Sequence, residues 1–170
     1  MGKRILVAYA SKHGSTKEIA EAIGGAIREE GLDADVHTAK DVLNVRTYDA
    51  VILGAPVYAT RLLGDIASLA KRFEEDLKEK PVFAFVSGMT VKERTPENVK
   101  KMEKTLHHVR DHVDIQGEIG VFGGRIDPGN VPVVGWFVKK KKDREIEDIR
   151  DWDRIRDWGR SVARELGKES

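Results

Sequence analysis

The chain has no cysteine, which excludes disulfides, thiolate nucleophiles, iron–sulfur clusters and cysteine-based zinc sites. It also has no long apolar run. After Met1-Gly2-Lys3-Arg4 the first such run ends at Ala10, too short for a membrane span or for the apolar core of a signal peptide. A cytoplasmic protein is the expectation. Charge of one sign is lacking as well: 30 Lys and Arg face 29 Asp and Glu, a formal net charge of +1. That balance offers no argument for a nucleic-acid partner, although 35% of the residues are charged. There is no internal repeat and no linker-like segment, and 170 residues suit one compact domain spanning 1–170 with a full core.

What the chain does have is concentrated in Lys3–Glu18, KRILVAYASKHGSTKE. Ile5 to Ala10 are unbroken apolar residues, as expected for a central parallel strand covered on both faces. The run passes into Ser11-Lys12-His13-Gly14-Ser15-Thr16. Ser15-Thr16-Lys17-Glu18 then has the S/T-x-x-E spacing of a capping box, so a helix is expected to start there. Its first backbone N–H groups would face the turn. Gly14 allows close backbone approach, and Ser11, Ser15 and Thr16 add hydroxyl donors. The stretch reads either as an ordinary capped strand-to-helix turn or as a phosphate-binding loop; it is neither G-x-G-x-x-G nor a P-loop.

The same alternation recurs downstream. Ile19, Ala22, Ile23, Ala26 and Ile27 have helical spacing up to Gly31, with Gly24-Gly25 explained by close packing on the sheet. Ala34–Thr38 suits an edge strand, and Asp49–Gly54 a second buried one, ending in the loop Ala55 to Arg61. Leu62, Ile66, Leu69, Ala70, Phe73 and Leu77 mark the next helix. Val82–Val86 is a strand ending in Ser87-Gly88-Met89-Thr90, and Thr95-Pro96-Glu97 starts a helix with an N-cap and an N1 proline. Ile115–Phe122 reads as the last strand. Asp151 caps the last helix, with Ile155, Trp158, Val162 and Leu166 inward. Five strands alternating with helices imply an α/β, doubly wound parallel sheet, order 2-1-3-4-5, with helices on both faces. Ligands bind such sheets at the carboxyl ends of the strands.

Ser11–Thr16 resembles the S/T-x-T-G-x-T phosphate loop of flavodoxins. That resemblance implies a flavodoxin-like fold and the cofactor FMN, its phosphate held by Ser11, Lys12, His13, Gly14, Ser15 and Thr16. His13 stands where the family has Thr or Asn and offers an imidazole N–H instead. The flavin ring would lie between Pro56, Val57, Tyr58 and Ala59 on one side and Ser87, Gly88 and Met89 on the other. Tyr58 either stacks on the ring or packs on its own loop. A receiver domain of two-component signalling shares the sheet order, but its acidic cluster and phosphoacceptor Asp are replaced here by Ser11-Lys12-His13 and Gly54-Ala55-Pro56. His107, His108 and His112 lack a carboxylate at zinc-like spacing, so no metal site is expected.

Phe122-Gly123-Gly124-Arg125-Ile126-Asp127, an insertion at about 126–150 and the opening Asp151-Trp152 resemble the flavodoxin-like protoporphyrinogen oxidases that use menaquinone. This implies an FMN-dependent oxidoreductase passing electrons from a porphyrinogen to a quinone; the alternative is a flavodoxin electron carrier between redox partner proteins. Arg125 has three readings: a porphyrin carboxylate partner, a flavin-edge contact or a local ion pair. Within the insertion, the apolar cluster around Trp136 next to Lys139, Lys140, Lys141 and Lys142 either folds back on the core or forms a docking surface. Its short apolar length allows at most peripheral membrane association.

Overall fold

The computed structural model describes residues 2–130 and 145–168. The first apolar run forms β1 (Arg4–Tyr9), buried at every position after Arg4. It is followed by α1 (Ser15–Glu29) and β2 (Asp33–Thr38). Then come β3 (Ala50–Tyr58), β4 (Arg61–Leu62), α2 (Asp65–Arg72) and α3 (Glu74–Leu77). β5 (Val82–Gly88), α4 (Pro96–Lys104), α5 (His107–Arg110) and β6 (Gly120–Gly123) continue the alternation. A short pair, β7 (Arg125–Ile126) and β8 (Glu147–Asp148), precedes α6 (Trp152–Lys168).

The five long strands are parallel and lie in the order β2-β1-β3-β5-β6, the expected doubly wound arrangement once the hairpin strand β4 is set aside. Strand order reverses between β1 and β3. Alternate side chains feed two cores. Ile5, Val7, Ile52, Phe83 and Phe85 meet α1 and α6 on one face; Leu6, Ala8, Leu53, Ala84 and Val86 meet α2 to α5 on the other. Phe85, Phe122 and Trp158 close the first core with ring centroids 5.9 to 6.0 Å apart. Such aromatic pairs contribute about 0.5–1.5 kcal/mol each beyond burial. The Trp158 indole N–H donates to the Glu118 carbonyl at 3.0 Å, so its polar atom is satisfied.

Several boundaries differ from the sequence-based expectation. β3 runs on through Pro56 and Val57 to Tyr58 and folds back as a hairpin, with Tyr58 opposite Arg61 and Val57 opposite Leu62. Leu62 therefore belongs to a strand and not to the next helix, which breaks at Phe73. The final strand is four residues long because Ile115–Ile119 approach the sheet as coil. Thr95 caps α4 as expected, its hydroxyl accepting from the Asn98 N–H at 3.1 Å. Gly24 is explained by packing, since a Cβ there would lie 2.6 Å from Val36 Cγ2, but Gly25 is not, since a Cβ on it would meet nothing within 4 Å.

Gly54 has a similar role under the Phe85 ring, which an added Cβ would overlap. Gly54→Ala should therefore cost about 1–3 kcal/mol through overpacking. In a chain of this size the melting temperature should fall by about 2–4 °C for each kcal/mol lost. Thermal unfolding followed by circular dichroism checks this; an unchanged midpoint would mean that Phe85 can swing aside without loss.

Candidate functional site

The carboxyl ends of β1, β3 and β5 come together where the strand order reverses, the usual ligand position in open α/β sheets. Ala10 N–H donates to Gly54 O at 2.9 Å, joining the first two. The hydroxyls of Thr16 and Ser87, both buried, are 3.3 Å apart and join the first helix to the end of β5. Gly124 N–H donates to Gly88 O at 3.1 Å, so the segment after β6 adds a fourth side.

The turn Ser11–Thr16 differs from the capping box in one respect that matters. The helix starts one residue earlier: Gly14 is the N-cap, with φ 87°, and Ser15 is the first helical residue. Ser11 Oγ accepts from the Gly14 N–H at 2.9 Å and closes the turn. Ser15 Oγ is buried and has no hydrogen-bond partner among the described residues. An unsatisfied buried hydroxyl costs about 1–3 kcal/mol, so this oxygen is poised for a group that is not part of the chain. The first N–H groups of a helix have no partner within it, and they carry partial positive charge. A Cβ placed on Gly14 would meet nothing within 4 Å, so the turn opens onto free space. A compact anion with several acceptor oxygens fits this donor set.

Around it, Lys12 and His13 are exposed, and the His13 imidazole lies edge-on to Tyr58 with centroids 6.5 Å apart. Tyr58 is 44% exposed at the end of β3, and partial burial raises its phenol pKa. Ala59, in the hairpin turn, has φ 55°. Pro56 and Val57 lie buried within β3, where Val57 joins the core, so the expected loop there is a strand wall. Ser87 and Gly88 are buried at the end of β5 and Met89 is half-buried beyond it. A Cβ on Gly88 would lie 3.0 Å from Val57 O, so the two backbones meet closely. Trp136, Lys139, Lys140, Lys141 and Lys142 lie outside the described residues. His112 Nδ1 is 3.2 Å from a Glu74 carboxylate oxygen, and among the described residues no three His, Asp or Glu side chains cluster to hold a metal. A cleft of about 500 Å³ beside Arg94, Asp151 and Trp158 lies on the β6 edge and shares no residue with this site.

A family model described as the flavodoxin domain matches residues 6–141. The chain belongs to the flavodoxin family. No curated protein matches it significantly. Among solved structures, oxidised flavodoxin 1 from Bacillus cereus is similar over 95% of this chain and 97% of its own, with 18% identity and a TM-score of 0.60. The flavodiiron protein of Giardia intestinalis matches 95% of this chain with only 35% of its own, at 15% identity and a TM-score of 0.60. A mutant of Fusobacterium nucleatum flavodoxin, solved bound to flavin mononucleotide, matches 70% of this chain and 68% of its own, at 20% identity and a TM-score of 0.50. These likenesses share the flavodoxin fold.

One residue beside the Ser11–Thr16 turn has no sequence signal for its place there. Arg150, with a side chain only 5% exposed, reaches Glu18 at 3.1 Å and grips Asp148 with two N–H groups at 2.9 and 2.7 Å. Its spacing to Asp148 is visible in the sequence, but Glu18 is 132 positions away. Arg125 lies opposite Asp148 in the β7–β8 pair. The Arg150 hydrogen bonds hold the Asp148 carboxyl below its ordinary value of 3.8, and the Arg125 charge assists.

A carboxyl depressed in the folded state contributes stability that is present above its unfolded pKa and is lost as pH falls through the folded one. Asp148→Asn should therefore lower stability at neutral pH. The gap between parent and variant should stay constant down to about pH 5 and close below 3.8. Urea unfolding at a series of pH values checks this; a gap independent of pH would assign Asp148 a packing role alone.

Proposed function

We propose that the chain binds FMN at this site and passes electrons through it, with the Ser11–Thr16 turn holding the phosphate. The observation that carries the reading is Ser15 Oγ, a buried hydroxyl without a partner among the described residues, at the open N-terminus of α1. Ser15, Thr16 and the turn amides would hold the phosphate, with the Lys12 ammonium and the His13 imidazole at its rim. Tyr58, half exposed at the end of β3, is the side chain that would stack on the ring, and Pro56, Val57, Ala59, Ser87, Gly88 and Met89 would border it. Bound FMN supplies one- and two-electron redox chemistry, while the chain provides binding, orientation and electrostatics. The residues on hand would hold the phosphate by hydrogen bonds in place of a metal or an arginine cluster.

The finer reading is an oxidase-like relative that takes electrons from protoporphyrinogen and gives them to a quinone or another acceptor; an electron carrier between redox partner proteins is the second. Gly124 N–H donates to Gly88 O at the end of β5, and Arg125 follows it in the chain. In the oxidase-like reading, Arg125 would meet an anionic substrate. Among the described residues no helix is long and apolar enough to cross a membrane, and the proposed site of action is the cytoplasm.

FMN should bind far more tightly than riboflavin, since each hydrogen bond to a charged phosphate oxygen contributes about 1.5–3 kcal/mol. Two such bonds correspond to about a hundredfold or more in affinity. Titration by quenching of flavin fluorescence measures both constants, and equal values would refute the phosphate assignment. To separate the two finer readings, the flavin-loaded protein should be bleached anaerobically by protoporphyrinogen and recover its colour with menaquinone. A flavin that porphyrinogen leaves oxidised would decide for the carrier.

A further inference from the structure

The Ser15-Thr16-Lys17-Glu18 spacing offers α1 two alternative starts. In one, Ser15 is the N-cap, its hydroxyl accepts from the Glu18 N–H, and the Glu18 carboxylate folds back onto the Ser15 N–H. That start would use up the Ser15 hydroxyl and set a carboxylate at the mouth of the turn. In the other, which the structure adopts, Gly14 is the cap, and Ser15 Oγ stays without a partner among the described residues. The helix dipole favours a carboxylate near the N-terminus, so something must hold Glu18 elsewhere.

Arg150 is built to do so. Asp148 grips it from below with both carboxylate oxygens, and its guanidinium lies 4.7 Å from the centre of the Trp152 ring. These contacts fix the direction of the remaining nitrogen, Nη1, which donates to Glu18 Oε2 at 3.1 Å and to the Ser15 carbonyl at 3.4 Å. One side chain therefore holds both the carboxylate and the backbone of the first helical turn. We propose that Arg150 is a positioning residue that selects the Gly14 start of α1, keeping Glu18 away from the turn and the turn open to a phosphate. This inference rests on the FMN reading above, and it adds a residue that touches no ligand.

Fluorescence titration of the full-length protein with FMN and with riboflavin tests it. Arg150→Gln should weaken FMN at least tenfold and leave riboflavin affinity unchanged, because only the phosphate meets the altered turn. Glu18→Ala alone should leave FMN affinity unchanged. In the Arg150→Gln background Glu18→Ala should restore it, since the competing carboxylate is gone. A parallel loss of FMN and riboflavin affinity, or a double variant no better than Arg150→Gln, would overturn the proposal and leave Arg150 as a tether for β8. Should Arg150→Gln fail to fold, Arg150→Lys keeps a cation beside Glu18 and is expected to bind FMN within threefold of the parent; a larger loss that Glu18→Ala does not repair overturns the proposal equally. A parent protein without preference for FMN over riboflavin refutes the phosphate reading itself, whereas a parent with that preference and variants matching it refutes only the role of Arg150.

Discussion

The ligand end of this molecule depends on the backbone at Gly14. With φ at 87°, the chain leaves β1, turns sharply and enters α1 without a side chain at the cap. A residue with a Cβ would be strained there by about 1–2 kcal/mol. Because the cap itself has no hydroxyl or carboxylate, the first N–H groups of α1 have no partner within the helix, and Ser15 Oγ has none among the described residues. The price of a glycine cap is a helix start that the chain does not satisfy by itself.

The sheet makes that start stable. Arg4 is the only exposed residue of β1, the strand is flanked on both sides by parallel neighbours, and Tyr9 is level with Thr38 and Gly54. β1 and β2 therefore end at one height, and β3 runs on past it to Tyr58. Thr16 then meets Ser87 across the gap, so the first turn of α1 is tied to the end of β5 by a buried hydroxyl pair. Behind these ends, Phe85 lies over Gly54 and against Phe122 and Trp158, which removes the freedom of β5 and β6 to slide. A rigid rear core and an unsatisfied front edge are two consequences of one register.

The parts legible in the sequence are those set by local pattern. Unbroken apolar runs mark β1, β3 and β5, and their alternation with helical spacing is enough for the strand order. The turn after β1 was legible through Gly14 and its hydroxyls. Three features were not. The capping box reads correctly as a helix start, but the choice between Ser15 and Gly14 as cap is made by Arg150, which arrives from 135 positions away at the Ser15 carbonyl. The β3–β4 hairpin was hidden because Leu62 also fits the helical spacing of Ile66 and Leu69, and because Pro56 argues locally against a strand. Here Pro56 sits in the last third of β3, where its carbonyl accepts from Leu63 N–H at 3.1 Å, so its missing donor breaks no bond of that hairpin. The contact of Gly124 with Gly88 is a meeting of two backbones and has no side-chain signature at all.

These hidden features share a position as well as a cause. The Gly14 cap and the Ala59 turn, with φ of 87° and 55°, lie on opposite sides of the same opening, and His13 and Tyr58 beside them face each other edge-on. A non-glycine residue in the left-handed region costs about 1–2 kcal/mol and persists only where surrounding structure over-determines it. Around Ala59 the surrounding structure is the Tyr58–Arg61 rung of the hairpin. An unsatisfied hydroxyl and a left-handed alanine at one mouth are local deficits that the folded chain alone does not relieve. A ligand that bonds the hydroxyl relieves the first of them, and it binds only the folded state. The same groups that make the mouth a weak point therefore couple ligand binding to global stability, in proportion to the logarithm of the ligand concentration over its dissociation constant.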